Sequence, residues 1–211
     1  MSKFEELHRL KENMEKDDSL PLKKVANKLV FGSGNTETKI LLIGEGPGRN
    51  EDETGLPFVG QAGKLLDKFL SLAGLERKKV FITNIVHHRP PENRDPLPDE
   101  IIAYGRYLDE IIKIIDPKVI ITLGRFSMAK FLPDVFISGV HGKRYDIEWK
   151  GKMITVIPMY HPAASLRNGN VMEAEKQDFL QLKEKLSKMK EGSPKIKKTK
   201  EEIAAEQVGL I

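Results

Sequence analysis

Three stretches of this chain carry residue types that could do chemistry. The first is Gly44-Glu45-Gly46-Pro47-Gly48, continued by Arg49-Asn50-Glu51-Asp52-Glu53 and Gly55-Leu56-Pro57-Phe58-Val59-Gly60. Its glycines let main-chain groups approach a ligand closely, so the loop is suited to presenting backbone to something bound. A phosphate cradle fits poorly. No Lys-Ser or Lys-Thr closes the loop, the glycine spacing is not that of a dinucleotide fingerprint, and carboxylates at Glu45, Glu51, Asp52 and Glu53 repel phosphate. A glycine-rich turn with a solvated acidic face is the plainer alternative. The second stretch is Asn84 and the segment His87-His88-Arg89-Pro90-Pro91. A side-chain amide offers a donor beside an acceptor, the complement of an imide edge, although Asn also caps strand ends with no ligand at all. His87 and His88 do not read as a metal site: neighbours on an extended chain face opposite ways, and no third ligand stands at a useful spacing. The third stretch is Tyr160-His161-Pro162-Ala163-Ala164-Ser165-Leu166-Arg167. Pro162 restricts His161 to an extended conformation and so fixes where the imidazole sits; a purely structural histidine is the alternative.

These stretches follow apolar runs that read as buried strands: Ile40 to Ile43, Val80 to Thr83 and Ile154 to Ile157, with a fourth run from Val119 to Thr122. Helical spacing separates them, through Leu65, Leu66, Phe69, Leu70 and Ala73, and through Ile101, Ile102, Leu108, Ile111, Ile112 and Ile115. Strands apolar on both faces and alternating with helices imply parallel βαβ units. The expected fold is therefore a three-layer α/β/α sandwich around a mostly parallel four-stranded sheet. Phe4, Leu7, Leu10 and Met14 predict a leading amphipathic helix, and Phe179, Leu182 and Leu186 a closing one. Tyr145, Ile147 and Trp149 alternate with charged residues before Lys150-Gly151, which predicts a hairpin into the last strand. Ligands of open α/β sheets bind beyond the carboxyl ends of the strands, where the three stretches fall.

Composition narrows the chemistry. The chain has 211 residues and no cysteine, which excludes disulfides, thiolate metal sites and a cysteine nucleophile. Lys and Arg number 35 against 31 Asp and Glu, a net charge of +4, yet residues 188–200 hold six Lys and one Glu. The basicity therefore belongs to a tail, and the expected division is a domain over residues 1–187 with a basic tail over 188–211. No apolar run is long enough for a membrane span and no signal-like stretch opens the chain, so a cytoplasmic protein is expected.

Taken together the motifs resemble the uracil-DNA glycosylase superfamily, most closely its family 4. The resemblance runs from about Leu29 to about Leu186. It rests on Val30-Phe31-Gly32-Ser33-Gly34-Asn35, the Gly44 to Gly48 loop with Glu51-Asp52, and Gly55 to Gly60. It continues through Thr83-Asn84-Ile85-Val86, Arg89-Pro90-Pro91 with Asn93-Arg94, Pro117 to Ile120 with Leu123-Gly124, and His161-Pro162-Ala163. It implies a repair enzyme that turns uracil out of double- or single-stranded DNA, hydrolyses its N-glycosidic bond and leaves an abasic site. Separately, high Lys, Glu and Ile with no Cys point to a bacterial or archaeal source. By the same resemblance Phe58 stacks on the base, Asn84 reads its imide edge and the backbone at Gly46 contacts its oxygens. Glu45 handles water and positive charge, with Glu51 a weaker candidate, and His161 stabilises the departing uracil. Ser165, Leu166 and Arg167 enter the minor groove, with Leu166 as the wedge, and His141, where the family has Arg, is a DNA-contacting or structural substitute. A monomer is expected.

Family 4 members hold an iron–sulfur cluster on four cysteines. Here those places fall on Asp17, Leu20, His88 and Tyr104. No cluster, metal or other cofactor is expected, and apolar packing with hydrogen bonds from His88 is the expected replacement. A non-catalytic uracil-DNA binding protein on the same fold is the competing reading.

Overall fold

The structure, a computed structural model, describes residues 1–190. Ser2 and Glu5 form a capping box that starts helix α1 (Lys3–Lys16). Leu7 and Met14 are buried as the spacing predicts, whereas Phe4 is 67% exposed on the other side of the helix and rests on the His8 ring.

The four expected strands form the centre of the sheet as β2 (Ile40–Gly44), β3 (Phe81–Asn84), β4 (Val119–Leu123) and β6 (Lys152–Met159). They lie in the order β3-β2-β4-β6 with every neighbouring pair parallel. Two short antiparallel strands extend the sheet to six, β1 (Ser33–Gly34) beside β3 and β5 (Tyr145–Trp149) beside β6. The β5–β6 pair is the expected hairpin, turned at Lys150 and Gly151.

Alternation along the strands divides the core into two layers. Leu41, Ile43, Ile120 and Val156 face α1 and α4 (Pro98–Ile115), while Leu42, Ile121, Ile157 and Met159 face α3 (Gln61–Leu72) and α8 (Gly169–Lys190). Period-two side chains with helices on both faces are why the strand runs read as continuously apolar. The closing helix runs to Lys190, three residues beyond the expected domain end at 187. The rest of the expected basic tail lies outside the described residues.

Four short helices were not legible as such: α2 (Arg49–Thr54), α5 (Arg125–Ala129), α6 (Ile137–Val140) and α7 (Pro162–Ser165). All follow strand ends or loops, where one or two turns give too little periodicity to detect.

The sequence places taken by cluster cysteines in the resembled family do not fit such a cluster here. Leu20 and Tyr104 are fully buried and Leu20 has no ligating atom. The Tyr104 hydroxyl and His88 Nδ1 are hydrogen-bonded at 2.8 Å. Asp17 accepts from Tyr107 Oη at 2.7 Å and from Ser19, and pairs with Arg106. Among the described residues no group of three or more His, Asp or Glu is arranged to hold a metal ion. A phenol–imidazole pair therefore joins α4 to the loop after β3, and Leu20 is buried in the same core layer as Tyr104.

Candidate active site

Beyond the carboxyl ends of β2, β3, β4 and β6 opens a cleft of about 560 Å³. Its place follows from strand order. From β2 the chain moves to β3 on one side and then crosses back past β2 to β4 on the other, so the direction of winding reverses there and leaves a crevice. Backbone pairing continues past the strands there: the Ile85 N–H donates to the Gly44 carbonyl at 3.0 Å and the Val86 N–H to the Glu45 carbonyl at 3.1 Å. The Glu45 loop and the Asn84 loop are thereby held as one surface.

Glu45, Gly46, Phe58, Asn84, His161 and Arg167 all line the cleft. Phe58 is buried and its backbone is left-handed, with φ 52°, an uncommon conformation for a large side chain. Glu51 explains how it is held. One carboxylate oxygen accepts from the backbone N–H groups of Val59 and Gly60, both at 2.8 Å, and the other from Gly48 at 3.1 Å. Arg77 grips the carbonyl of Pro57, and Gly63 on α3 lies against the Phe58 carbonyl where no Cβ would fit. Glu51 is thus a clamp on the Phe58 turn, with its hydrogen-bonding capacity spent on backbone.

The other carboxylates of that loop divide their work. Asp52 is buried and accepts from the Asn27 backbone at 2.8 Å and its side chain at 2.6 Å, and from the Lys28 backbone at 3.2 Å. Glu53 pairs with Arg49 on the surface. Glu45 remains, half-buried in the cleft. Burial raises its pKa above the ordinary carboxylate value and Asp95 adds to this, while Arg125 and Arg167 oppose it.

Asn84 is buried and its Oδ1 has no partner. A buried amide oxygen without a donor costs free energy, and in a cleft it is an acceptor ready for a ligand. Gly44 sets the spacing beneath it: a Cβ there would run into Asn84 Oδ1 and come within 2.7 Å of the Phe58 ring. The ring and the amide therefore lie over the same glycine.

His161 caps α7, its Nδ1 accepting from the Ala163 N–H at 3.1 Å, and its ring stacks on Phe58 with centroids 5.6 Å apart. An Nδ1 that accepts leaves the proton on Nε2, so the ring is a neutral donor. Burial, with Arg167 nearby, pushes its pKa down to about 4 against the opposing pull of Glu51, which keeps it neutral near pH 7.

The remaining expected site residues are spread differently. Leu166 is 46% exposed beside the cleft. Ser165 is buried, its hydroxyl donating to the buried Glu175 of α8, which withdraws it from the surface. His141 does not line the cleft. Its Nδ1 is 2.7 Å from Asp178 of α8 and its ring packs 4.4 Å from that of Tyr160, which does line the cleft. Arg94, Asp95 and Arg125 also contribute to the walls, and sequence reading missed them as site residues. Arg125 follows Gly124 at the end of β4, so the strand-end rule that singled out the other loops could have found it. Asp95 and Arg125 form an ion pair across the rim, and Arg94 is held by two hydrogen bonds to Glu100, at 2.8 and 2.6 Å.

Comparison with known proteins gives these features a common context. Residues 31–187 match the model of the uracil DNA glycosylase superfamily. The chain is 44% identical over 187 residues to a type-4 uracil-DNA glycosylase of Sulfurisphaera tokodaii, covering 86% of this chain and 85% of the relative. It is 45% identical over 169 residues to one of Archaeoglobus fulgidus, with 77% and 84% covered, and 43% identical over 190 residues to one of Saccharolobus solfataricus, with 87% and 88% covered. Identity at this level across nearly the whole described fold leaves one assignment: the chain belongs to the uracil-DNA glycosylase superfamily, on its type-4 branch.

Proposed function

We propose that the cleft receives a uracil turned out of DNA and that the protein hydrolyses its N-glycosidic bond, leaving an abasic site. One observation carries the reading. The unpartnered, buried Asn84 Oδ1 lies over Gly44 beside the Phe58 ring, with Glu45 and a neutral His161 donor lining the same cleft. A flat imide fits that set. Its ring stacks on Phe58, its N–H donates to Asn84 Oδ1, and its neighbouring carbonyl accepts from the Asn84 amide. Backbone around Gly46 meets the remaining oxygen, and the Gly46 to Gly48 stretch that lines the cleft is the side suited to exclude a methyl group on the ring.

Cleavage develops positive charge on the sugar and negative charge on uracil. Glu45 is the unspent carboxylate of the loop, suited to orient water and stabilise the sugar cation. His161 Nε2–H donates to the departing oxygen, and because the ring is neutral it stabilises the anion without transferring a proton. Leu166, exposed next to the cleft, is suited to fill the vacated stack, and Arg167 to meet a phosphate. Ser165 and His141 contribute through the loops they fasten. The cleft is complete within one chain, which supports action as a monomer, and a DNA substrate supports a cytoplasmic setting.

The test is a uracil-containing oligonucleotide incubated with the protein and then treated with alkali. Strand cleavage at the uracil is expected, and Asn84→Asp is expected to impair it, since a carboxylate presents no amide donor. Binding without cleavage by the unaltered protein would favour the non-catalytic alternative. Unchanged kinetics in Asn84→Asp would remove that residue from the pocket.

A further inference from the structure

We propose that Phe136 is a stacking platform at the mouth of the cleft that holds the nucleobase adjacent to the extruded uracil on the same strand. The proposal rests on the uracil-excision reading. Phe136 is 79% exposed, the most exposed large apolar side chain among the described residues. Its backbone is nevertheless held in place. It caps α6, its carbonyl accepts from the Gly139 N–H at 3.0 Å, and its neighbours Val135 and Ile137 pack against the core below. Ile137 also lines the cleft, so the exposed ring is one residue away from the wall of the site.

An aromatic ring held this way adds nothing to the core, and a folding role does not account for it. DNA chemistry does. When a base leaves the stack, the base beside it exposes one face to water, and a fixed aromatic ring can cover that face regardless of sequence because every base has a π surface. Arg167 lines the cleft and can meet a phosphate, and Arg125 lines it too, paired with Asp95 at the rim. Leu166, 46% exposed on the segment after His161, supplies a second apolar contact at the same mouth. Phe4, another strongly exposed aromatic, is on α1 and stacks on His8, away from the residues that line the cleft.

The experiment uses the full chain and single strands carrying an abasic-site analogue, with 2-aminopurine placed on either flank in turn. Stacking on an aromatic ring should quench the probe at one flank in the unaltered protein. Phe136→Ala should abolish that quenching and weaken binding about tenfold, within the range of base–aromatic stacking. The salt dependence of binding should stay the same, because no charge is removed. Phe136→Trp should restore both quenching and affinity. A melting temperature for Phe136→Ala equal to that of the unaltered protein separates these effects from misfolding. Affinity and quenching in Phe136→Ala equal to those of the unaltered protein would overturn the proposal. Uracil excision by the unaltered protein distinguishes that failure from failure of the functional reading; no excision at all would overturn both.

Discussion

His161 is expected to act as a neutral hydrogen-bond donor, and replacing it by Ala tests this directly. Its Nδ1 is occupied by the Ala163 N–H, which leaves Nε2–H as the only donor the ring can offer. A preorganised donor to a developing oxyanion is worth about 3 to 4 kcal/mol, so His161→Ala should slow excision on the order of 100- to 1000-fold. The pH profile then separates a neutral ring from a cationic one. With a pKa pushed down to about 4, the imidazole is already neutral at pH 5, and its contribution should be flat from there to pH 8. A cationic donor with that pKa would instead lose about tenfold in rate for each pH unit above it. Glu45 adds a separate acid limb: its pKa is raised by burial, so the carboxylate form is lost, and with it the rate, on acidification from above the ordinary carboxylate range. The assay is single-turnover excision from a uracil-containing single strand with enzyme in excess, which removes product release from the measurement. The reasoning fails if His161→Ala lies within threefold of the unaltered enzyme. It also fails if the unaltered enzyme loses rate steadily from pH 5 to 8 and His161→Ala abolishes that slope.

Gly44→Ala should displace both the Phe58 ring and the Asn84 amide, since the new Cβ would collide with each, and overpacking of that kind costs about 1 to 3 kcal/mol. Product-strand binding measured by anisotropy should weaken by about tenfold or more, and unchanged binding would mean that the ring and amide do not jointly form the pocket. Glu175→Gln probes the buried support under α7. Burial raises the Glu175 pKa from 4.5 to about 8, with Asp178 adding and the Ser165 hydrogen bond opposing. The folded chain therefore keeps a proton that the unfolded chain has released. Stability from this group is full below about pH 4.5, falls as pH rises toward about 8, and levels off above that. Glu175→Gln stays neutral throughout, so its melting temperature relative to the unaltered protein should rise between pH 5 and pH 8, by an amount reflecting at most a few kcal/mol at about 1.4 per pKa unit. A difference that does not change with pH would contradict the buried, protonated state.

The sequence by itself determined the layered fold, because apolar runs at strand length and helices at period 3.6 state which faces must be covered. It also determined where chemistry could sit, since glycines, Asn84 and His161 all fall just after strand ends. It could not rank the carboxylates of the Glu45 loop. Glu51, Asp52 and Glu53 are the same chemical type within three positions, and only packing spends Glu51 on the Phe58 turn, Asp52 on residues 27 and 28, and Glu53 on Arg49. The zero cysteine count excluded a thiolate cluster, but that Tyr104 and His88 meet across sixteen positions is a product of the fold. The same holds for Ser165, turned inward to Glu175 although its neighbour Leu166 is exposed, because a four-residue helix has no periodicity from which its buried side can be read. Which apolar residue to expose was also decided in three dimensions. Phe136 stands between Val135 and Ile137, which pack against the core, so its own side chain is left exposed one residue from the cleft wall. Strand and helix patterns are set by local periodicity, whereas the roles of single polar side chains depend on partners that only long-range contacts bring within reach.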